Sequence, residues 1–389
     1  MNILYLLNSG QPGGMERHVE DLVKGMGERG HKVHIWCKNG PIVEWHRKSG
    51  AVVSVKDISL DIDPFYIFSL RSYLIQNKID IIHAHELRAC SNALIAGFLS
   101  GTKVRVTHIH TPISEWRVSN TFRKIYTRFT ILGYVCEITL LSTCEIALTE
   151  SRKRIKIREG IPEDKLKVIP NGIDIEKFDV DPERKKTYRE EILKKYDIPN
   201  DSFVVGNVGR LTEEKGTDIL VKGFEKFIHN IPESERNNKY LLIAGGGKLE
   251  NTFKKIVKSS AVGDKIRITG VFEDDDIRKL YASFDLFVFP TLAEGFGIVM
   301  LEAMSIGLPV ICSDLEVLSE VGGASVYMFK TGDYRSLAQK MHDLYLRKDN
   351  YSDIGEISKR RVAELYSMKR FLDNYENLYF GLLQGSKKI

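Results

Sequence analysis

The chain has 389 residues, of which 43% are hydrophobic, 28% charged and 10% aromatic, with a formal net charge of +5. That length exceeds one domain of about 150 residues and predicts two, while the composition excludes a disordered, collagenous or disulfide-scaffold protein. The positive excess lies wholly before residue 181, where 25 Lys and Arg face 20 Asp and Glu, and it concentrates between Lys103 and Arg158, where 11 basic residues face four acidic ones.

The opening run NILYLL has neither a basic n-region nor an apolar stretch of leader length, so it predicts a buried first strand. The runs KVHIWCK, IDIIHAH, KVRVTHIH and EIALTES continue as strands in the first half, each apolar or β-branched over strand length. Between Gly14 and Gly30, Val19, Leu22, Val23 and Met26 recur at helical spacing, and the segment before KVRV is helical in the same way. The apolar stretch from Phe129 to Leu148 is broken by Glu137, Ser142, Thr143 and Glu145, short of the roughly 20 apolar residues of a membrane span. The charged stretch DPERKKTYREEILKKYDIPNDS then reads as a linker leading into a helix. After it, FVVGNVGRL, KYLLIAGGG, KIRITGVF, LFVFPT and PVICSD are five further strands, and Ser367 to Leu383 forms one amphipathic helix. Strands alternating with helices predict two facing α/β Rossmann-like domains, residues 1–175 with 367–389 and residues 176–366, with the substrate cleft at the carboxyl ends of the strands. The five cysteines, Cys37, Cys90, Cys136, Cys144 and Cys312, form no C-x-x-C pair; they indicate neither a disulfide framework nor a zinc site and fit a reducing cytosol.

Several turns carry chemistry. NSGQPGGMERH joins the first strand to the first helix, where Gly10, Gly13 and Gly14 permit close backbone approach to an anion at a helix amino end. It is not G-x-G-x-x-G, so a Rossmann dinucleotide cofactor is not predicted. VGRLTEEKG sets Arg210 and Lys215 at a strand end, a fork-shaped guanidinium and a point charge suited to a diphosphate. AGGGKLE has Leu249 where a Walker motif requires Ser or Thr, which disfavours an ATPase. In PTLAEGFGIVMLEAMSIGLPVICSD, Glu294 precedes the turn Gly295-Phe296-Gly297 and Glu302 follows eight positions after it on a helix. Two helical turns put both carboxylates on one side, and a carboxylate accepts from two hydroxyls, as in gripping a sugar or ribose diol.

The blocks GGMERH, IPNGID, GRLTEEKG, AGGG and EGFGIVMLEAMSIGLPVICSD stand in the order and approximate spacing of the retaining GT-B glycosyltransferases of family four, which the whole chain resembles. That resemblance implies a GT-B fold whose C-terminal helix crosses back to the first domain. It implies that Arg210 and Lys215 bind the donor diphosphate, Glu302 the ribose, and Glu294 with the amides of Gly295, Phe296 and Gly297 the transferred sugar and its phosphate. Gly13 and Gly14 would approach the β-phosphate, while Gly245, Gly246, Val271 and Phe272 would line the base pocket. The family's active-site histidine falls at the end of KVRVTHIHTP; of His108 and His110, His110 stands nearer the strand's carboxyl end. His83 and His85 end a neighbouring strand, and acceptor contact and structural pairing both remain open for them. Asp274, Asp275 and Asp276 at a helix start, and Asp61 and Asp63 before Pro64, read as capping and turn residues, so no metal and no cofactor is expected.

The expected activity is transfer of a hexose with retention from a nucleotide sugar, a UDP-sugar by default and GDP-mannose as the alternative, to a glycan or lipid-linked hydroxyl in surface polysaccharide or glycolipid synthesis. A non-catalytic nucleotide-sugar-binding subunit is the competing class. No nucleic-acid motif accompanies the basic stretch, and no nucleic-acid partner is expected. Trp116, Phe122 and Tyr126 interleave with Arg117, Arg123, Lys124 and Arg128, and SRKRIKIR follows, which suggests an anionic membrane surface at the cytoplasmic leaflet as a further partner.

Overall fold

The computed structural model describes residues 1–116, 121–273 and 276–385, without the side chains of 121–124. Asp274, Asp275, Arg117 and the side chains of Phe122, Arg123 and Lys124 therefore lie outside the described residues. The chain divides into two compact units, Met1–Gly172 joined by the segment from Lys369 onward, and Ile173–Met368.

Unit 1 contains β1 (Asn2–Leu7), α1 (Gly14–Glu28), β2 (Lys32–Cys37), α2 (Ile42–Lys48), β3 (Val52–Val55), α3 (Pro64–Gln76), β4 (Ile81–His85), α4 (Leu87–Ser100), β5 (Val104–His108), α5 (Thr121–Leu141), β6 (Cys144–Ala147), α6 (Glu150–Glu159) and β7 (Leu166–Val168). All seven strands are parallel, in the order β3-β2-β1-β4-β5-β6-β7. The central strands β1 and β4 are buried almost throughout, as a parallel sheet covered on both faces requires.

Unit 2 contains α7 (Pro182–Lys195), β8 (Phe203–Val208), α8 (Thr217–Asn230), β9 (Lys239–Ala244), α9 (Glu250–Ser259), β10 (Ile266–Ile268), α10 (Ile277–Ser283), β11 (Leu286–Phe289), α11 (Ile298–Ser305), β12 (Val310–Ser313), α12 (Glu316–Gly322), β13 (Tyr327–Phe329), α13 (Tyr334–Tyr345) and α14 (Tyr351–Tyr366). Its six parallel strands run β10-β9-β8-β11-β12-β13. The charged stretch after the first unit is itself helix α7, started by Asp181, whose side chain accepts from the Arg184 amide, and by Pro182, a good first helical residue because its missing N–H would be unpaired there.

The last helix, α15 (Met368–Gly385), packs in unit 1. Its Tyr375 and Tyr379 are fully buried, and Arg29 at the end of α1 pairs with Asp373 at 2.6 Å and Glu376 at 2.7 Å. Gly25 lets the two helices pack closely, since a Cβ there would lie 2.4 Å from the Leu372 side chain, which would have to move. No helix among the described residues is long and apolar enough to cross a membrane.

Candidate active site

In a doubly wound sheet, loops diverge where the strand order reverses, and ligands bind in the crevice they leave. In unit 2 that point lies between β8 and β11. The loop after β8 carries Arg210 and Lys215, and the loop after β11 carries Glu294 to Gly297. Lys215 Nζ donates to Glu294 Oε2 at 2.8 Å, with the two side chains 20% and 17% exposed. The backbones are joined as well: the Leu292 amide donates to the Glu214 carbonyl at 2.7 Å, and Thr291 Oγ1 donates to the same oxygen at 3.0 Å. Gly216, with φ 64°, permits this approach, because a Cβ would sit 2.1 Å from the Pro290 carbonyl oxygen.

Glu294 Oε1 accepts from the Gly295 amide at 3.0 Å, so its second oxygen closes the glycine turn. Gly297, with φ 98°, starts α11, whose amino end presents N–H groups and a partial positive charge. Arg210 is exposed at the end of β8, and Phe296 is buried. Further along α11, Glu302 Oε2 accepts from the Tyr281 hydroxyl at 2.7 Å. Burial first, and the carboxylate second, push the Tyr281 phenol well above its ordinary value. It stays a donor at any working pH and fixes the carboxylate while leaving it further acceptor capacity. Gly245 and Gly246 end β9: the Gly245 amide donates to Thr269 Oγ1 at 3.2 Å, and the Gly246 carbonyl accepts from the Leu211 amide at 2.9 Å. A Cβ on Gly245 would lie 1.9 Å from the Gly209 carbonyl oxygen. Val271 is 86% exposed and Phe272 half-buried, on the rim these turns build.

In unit 1 the reversal lies between β1 and β4. Gly13 precedes α1 in extended backbone, and Gly14 begins it with open space where a Cβ would stand. Imidazoles dominate this crevice. His85 ends β4 in register with His108 on β5, and His83 and His110, each two residues away along an extended chain, share that face. His18 comes down from α1, edge-on to His85, His108 and His110 at ring-centroid distances of 5.4, 5.0 and 4.9 Å. His18 Nδ1 meets Asn171 Oδ1 at 2.7 Å, His83 Nδ1 meets the Tyr379 hydroxyl at 2.7 Å, and His85 Nδ1 meets His110 Nε2 at 3.2 Å. Burial pushes His18 down to about 4 and holds His83, His85, His108 and His110 well below the ordinary imidazole value, with neighbouring imidazoles adding to the effect. All five rings are neutral at pH 7. His108 is fully buried, whereas His110 retains partial exposure.

Two features hold these rings. Glu86, directly after β4, has φ 67°, a left-handed backbone that costs a non-glycine residue energy and that surrounding structure must impose; its carboxylate accepts from the Ala89 amide at 2.9 Å. Buried Glu145 accepts from the Ile109 amide at 3.4 Å, from the Tyr134 hydroxyl at 2.9 Å and from the Lys156 ammonium, clamping the residue between His108 and His110. The basic run SRKRIKIR is thus no uniform solvated face: Lys156 and Arg152 turn inward to Glu145 and Glu115. The acidic-motif residues that the structure describes have structural partners: Asp63 caps α3 through the Tyr66 amide at 3.0 Å, Asp61 pairs with Arg88 at 2.7 Å, and Asp276 pairs with Lys195 at 3.0 Å.

Residues 188–361 match the family described as Glycosyl transferases group 1, and residues 12–177 match Glycosyltransferase Family 4. The chain is 30% identical over 365 residues to the Escherichia coli UDP-Gal:alpha-D-GlcNAc-diphosphoundecaprenol alpha-1,3-galactosyltransferase, covering 90% of this chain and 89% of that one. The chain belongs to the GT-B glycosyltransferases of family four. This glycosyltransferase is also 25% identical over 364 residues to the capsular polysaccharide biosynthesis glycosyltransferase CapM of Staphylococcus aureus, covering 91% of each. Among solved structures, Anabaena Alr3699/HepE in complex with UDP superposes with a TM-score of 0.84 at 20% identity, over 98% of this chain and 100% of that one. The same protein in complex with UDP-glucose gives 0.81 at 20% identity, over 97% and 99%. At that identity the likeness establishes the GT-B fold of two parallel-sheet units.

Three residues at these crevices escaped assignment from sequence. His18 and Asn171 stand inside the blocks GGMERH and IPNGID but showed no link to the strand-end histidines. Tyr281, the partner of Glu302, lies in an ordinary helix with no motif of its own.

Proposed function

We propose that this glycosyltransferase moves a hexose from a UDP-sugar to a hydroxyl of a glycan or lipid-linked acceptor with retention at the anomeric carbon, and that it needs no metal to do so. The observation that carries this is the pairing of Lys215 with Glu294 across two glycine-bearing loops at the strand-order reversal of unit 2. A cation already matched to a carboxylate that also closes a glycine turn is a preorganised seat for a phosphate on one side and sugar hydroxyls on the other. Arg210 and Lys215 hold the donor diphosphate. Glu294, Gly295, Phe296 and Gly297 hold the sugar and its phosphate, and Gly13 and Gly14 approach the β-phosphate. Glu302 accepts from the ribose, while Gly245, Gly246, Val271 and Phe272 receive the base. His110 serves the transferred sugar, and residues 1–175 with the last helix take the acceptor side.

Glu294 is engaged by Lys215 and the Gly295 amide, which suits it to positioning rather than to forming a glycosyl ester. Departure and attack then occur on one face of an oxocarbenium-like centre, with charge growing on the leaving diphosphate oxygen, which takes up the acceptor proton. Arg210, Lys215 and the turn amides stabilise that charge more strongly as it grows, which lowers the barrier rather than merely tightening binding. The uracil base follows the names of relatives: the Escherichia coli enzyme uses UDP-Gal, and HepE binds UDP and UDP-glucose.

A screen of UDP-, GDP- and ADP-sugars without acceptor, with released nucleotide resolved by chromatography, tests the donor. UDP release alone is expected. GDP release from GDP-mannose would move the enzyme to the mannosyltransferases, and nucleotide binding without release in the presence of glycan and lipid-linked acceptors would make it a non-catalytic subunit. EDTA is expected to leave the rate nearly intact, and abolition by chelation would contradict metal independence.

The acceptor meets the enzyme at an anionic membrane face. Trp116, Tyr126, Phe129 and Leu132 are exposed, and Phe65 and Phe68 of α3 are 89% and 63% exposed, side chains of the kind that insert into a lipid interface. Sedimentation at low salt with anionic but not neutral vesicles is expected. Equal, negligible pelleting with both would favour a soluble acceptor.

A further inference from the structure

Cysteine spacing gives this chain no zinc site, but cysteines are not its richest set of soft donors. His18, His85, His108 and His110 each place one ring nitrogen within 4.8 Å of all the others. Five of the six ring-centroid separations run from 4.9 to 5.5 Å. Four imidazoles around a tetrahedral ion with metal–nitrogen bonds of about 2.0–2.1 Å have centroids roughly 5.2 Å apart. The sixth pair, His108 and His110, is stacked at 3.9 Å and 13°, so to share one ion the rings part by about 1 Å and one of them turns out of the stack, bringing both in-plane lone pairs onto the metal.

His18 is also in the right state, while the 3.2 Å bond between His85 Nδ1 and His110 Nε2 opens on binding, because a neutral pair joined by it keeps one free lone pair between the two rings. The His18 Nδ1 proton goes to Asn171 Oδ1 at 2.7 Å, which leaves the Nε2 lone pair aimed away from that bond, the arrangement of a metal-bound histidine oriented by an outer partner. His18 Nε2, His85 Nε2 and both nitrogens of His108 are buried without a hydrogen-bond partner. Native proteins seldom leave buried polar atoms unpaired, and a cluster of them calls for an ion or ordered water. His110 is the one member of the four with partial exposure, and so provides the entrance.

We propose that His18, His85, His108 and His110 bind one divalent ion of the imidazole-preferring class, Zn²⁺ foremost. A donor set of four nitrogens disfavours Mg²⁺, Ca²⁺ and Mn²⁺, which prefer oxygen. The consequence for activity rests on the role given to His110 above: an ion on its lone pair withdraws it from the sugar, so Zn²⁺ inhibits transfer.

The test uses untagged, metal-free full-length protein titrated with Co²⁺ at pH 7.5. One equivalent with tetrahedral visible absorption, lacking a thiolate charge-transfer band and displaced by Zn²⁺, is expected. Chelator competition then gives Zn²⁺ affinity, which falls at least tenfold in His85→Ala and in Asn171→Ala and stays within twofold in His229→Ala, an exposed control in unit 2. Asn171→Ala keeps all four ligands, so it serves if His85→Ala fails to fold. No saturable complex with wild type, an octahedral spectrum only, or an affinity unmoved by both variants would overturn the site and assign the orphan nitrogens to water. Binding at the site without inhibition would keep the ion and remove His110 from the reacting centre, so the two ideas fail separately.

Discussion

The two units share one strand order through their first six strands, yet the crevices at their order reversals carry opposite chemistry. In unit 2 the crevice holds fixed charges, with Lys215 on Glu294 and a tyrosine-oriented Glu302, set among glycines that allow carbonyls and amides to crowd. In unit 1 it holds five neutral imidazoles with hardly any charge among them. Topology supplies a place for a ligand, and the side chains at that place decide what it can be. Charges paired at a glycine turn suit a diphosphate, whereas neutral rings suit hydroxyls and proton exchange. Each prediction below assigns a loss to one crevice and asks that the other be spared.

The largest loss is expected from His110→Ala, a fall in kcat of about 10²–10⁴, the range for a group that handles a proton or hydroxyl in the transition state, with UDP affinity unchanged. Inactivity of His108→Ala alongside full activity of His110→Ala would exchange their roles, which their shared face allows. Lys215→Ala and Arg210→Ala are expected to lower kcat by about 10²–10³ and to raise KM less, because charge on the leaving group grows toward the transition state. A rise in KM alone would reduce the pair to an anchor. Glu302→Ala should weaken UDP binding by about 1.5–3 kcal/mol, the range for a charged hydrogen bond, and Tyr281→Phe by less, since the carboxylate remains but is no longer held. Calorimetric titration with UDP separates the two variants.

The last effect is on stability and belongs to unit 1. His18 sits at about 4 in the folded chain against about 6.5 unfolded, so between those values the unfolded state binds more protons and stability falls as pH falls. For His18 alone the loss on going from pH 6.5 to 5 is on the order of 2 kcal/mol, and the other buried imidazoles act in the same direction. Urea unfolding across that interval, compared with His18→Gln, measures it; equal slopes would mean that His18 is not held neutral.

The contrast between the units was unevenly legible in the sequence. The long central strands, the glycine turns and the tail helix announce themselves through apolar runs and helical periodicity, and the two sheets follow from their alternation. The short edge strands β3, β7 and β13, of four, three and three residues, do not; the equally short edge strand β10 is legible only because KIRITGVF extends its apolar, β-branched run beyond the three paired residues. The stretch read as a linker leading into a helix is helical almost from its start, as α7, since Asp181 and Pro182 begin it and tertiary packing outweighs its high charge. In unit 2 the charged groups stand inside local blocks and can be found from spacing. In unit 1 His18, His85 and His108 are distant in sequence, and only the placement of β4 and β5 beside each other under α1 brings them together. The ion pairs that bury Lys156 and Arg152 are hidden for the same reason: a charge run looks solvated until the partner strand is known.

The most direct measurement is calorimetric titration of UDP into wild type, His110→Ala and Lys215→Ala under one buffer. Equal affinity for wild type and His110→Ala, with weaker binding to Lys215→Ala, is the result expected if the anion seat belongs to unit 2 and the imidazole crevice serves the reacting sugar. UDP binding lost in His110→Ala but kept in Lys215→Ala, with both variants folded, would contradict it.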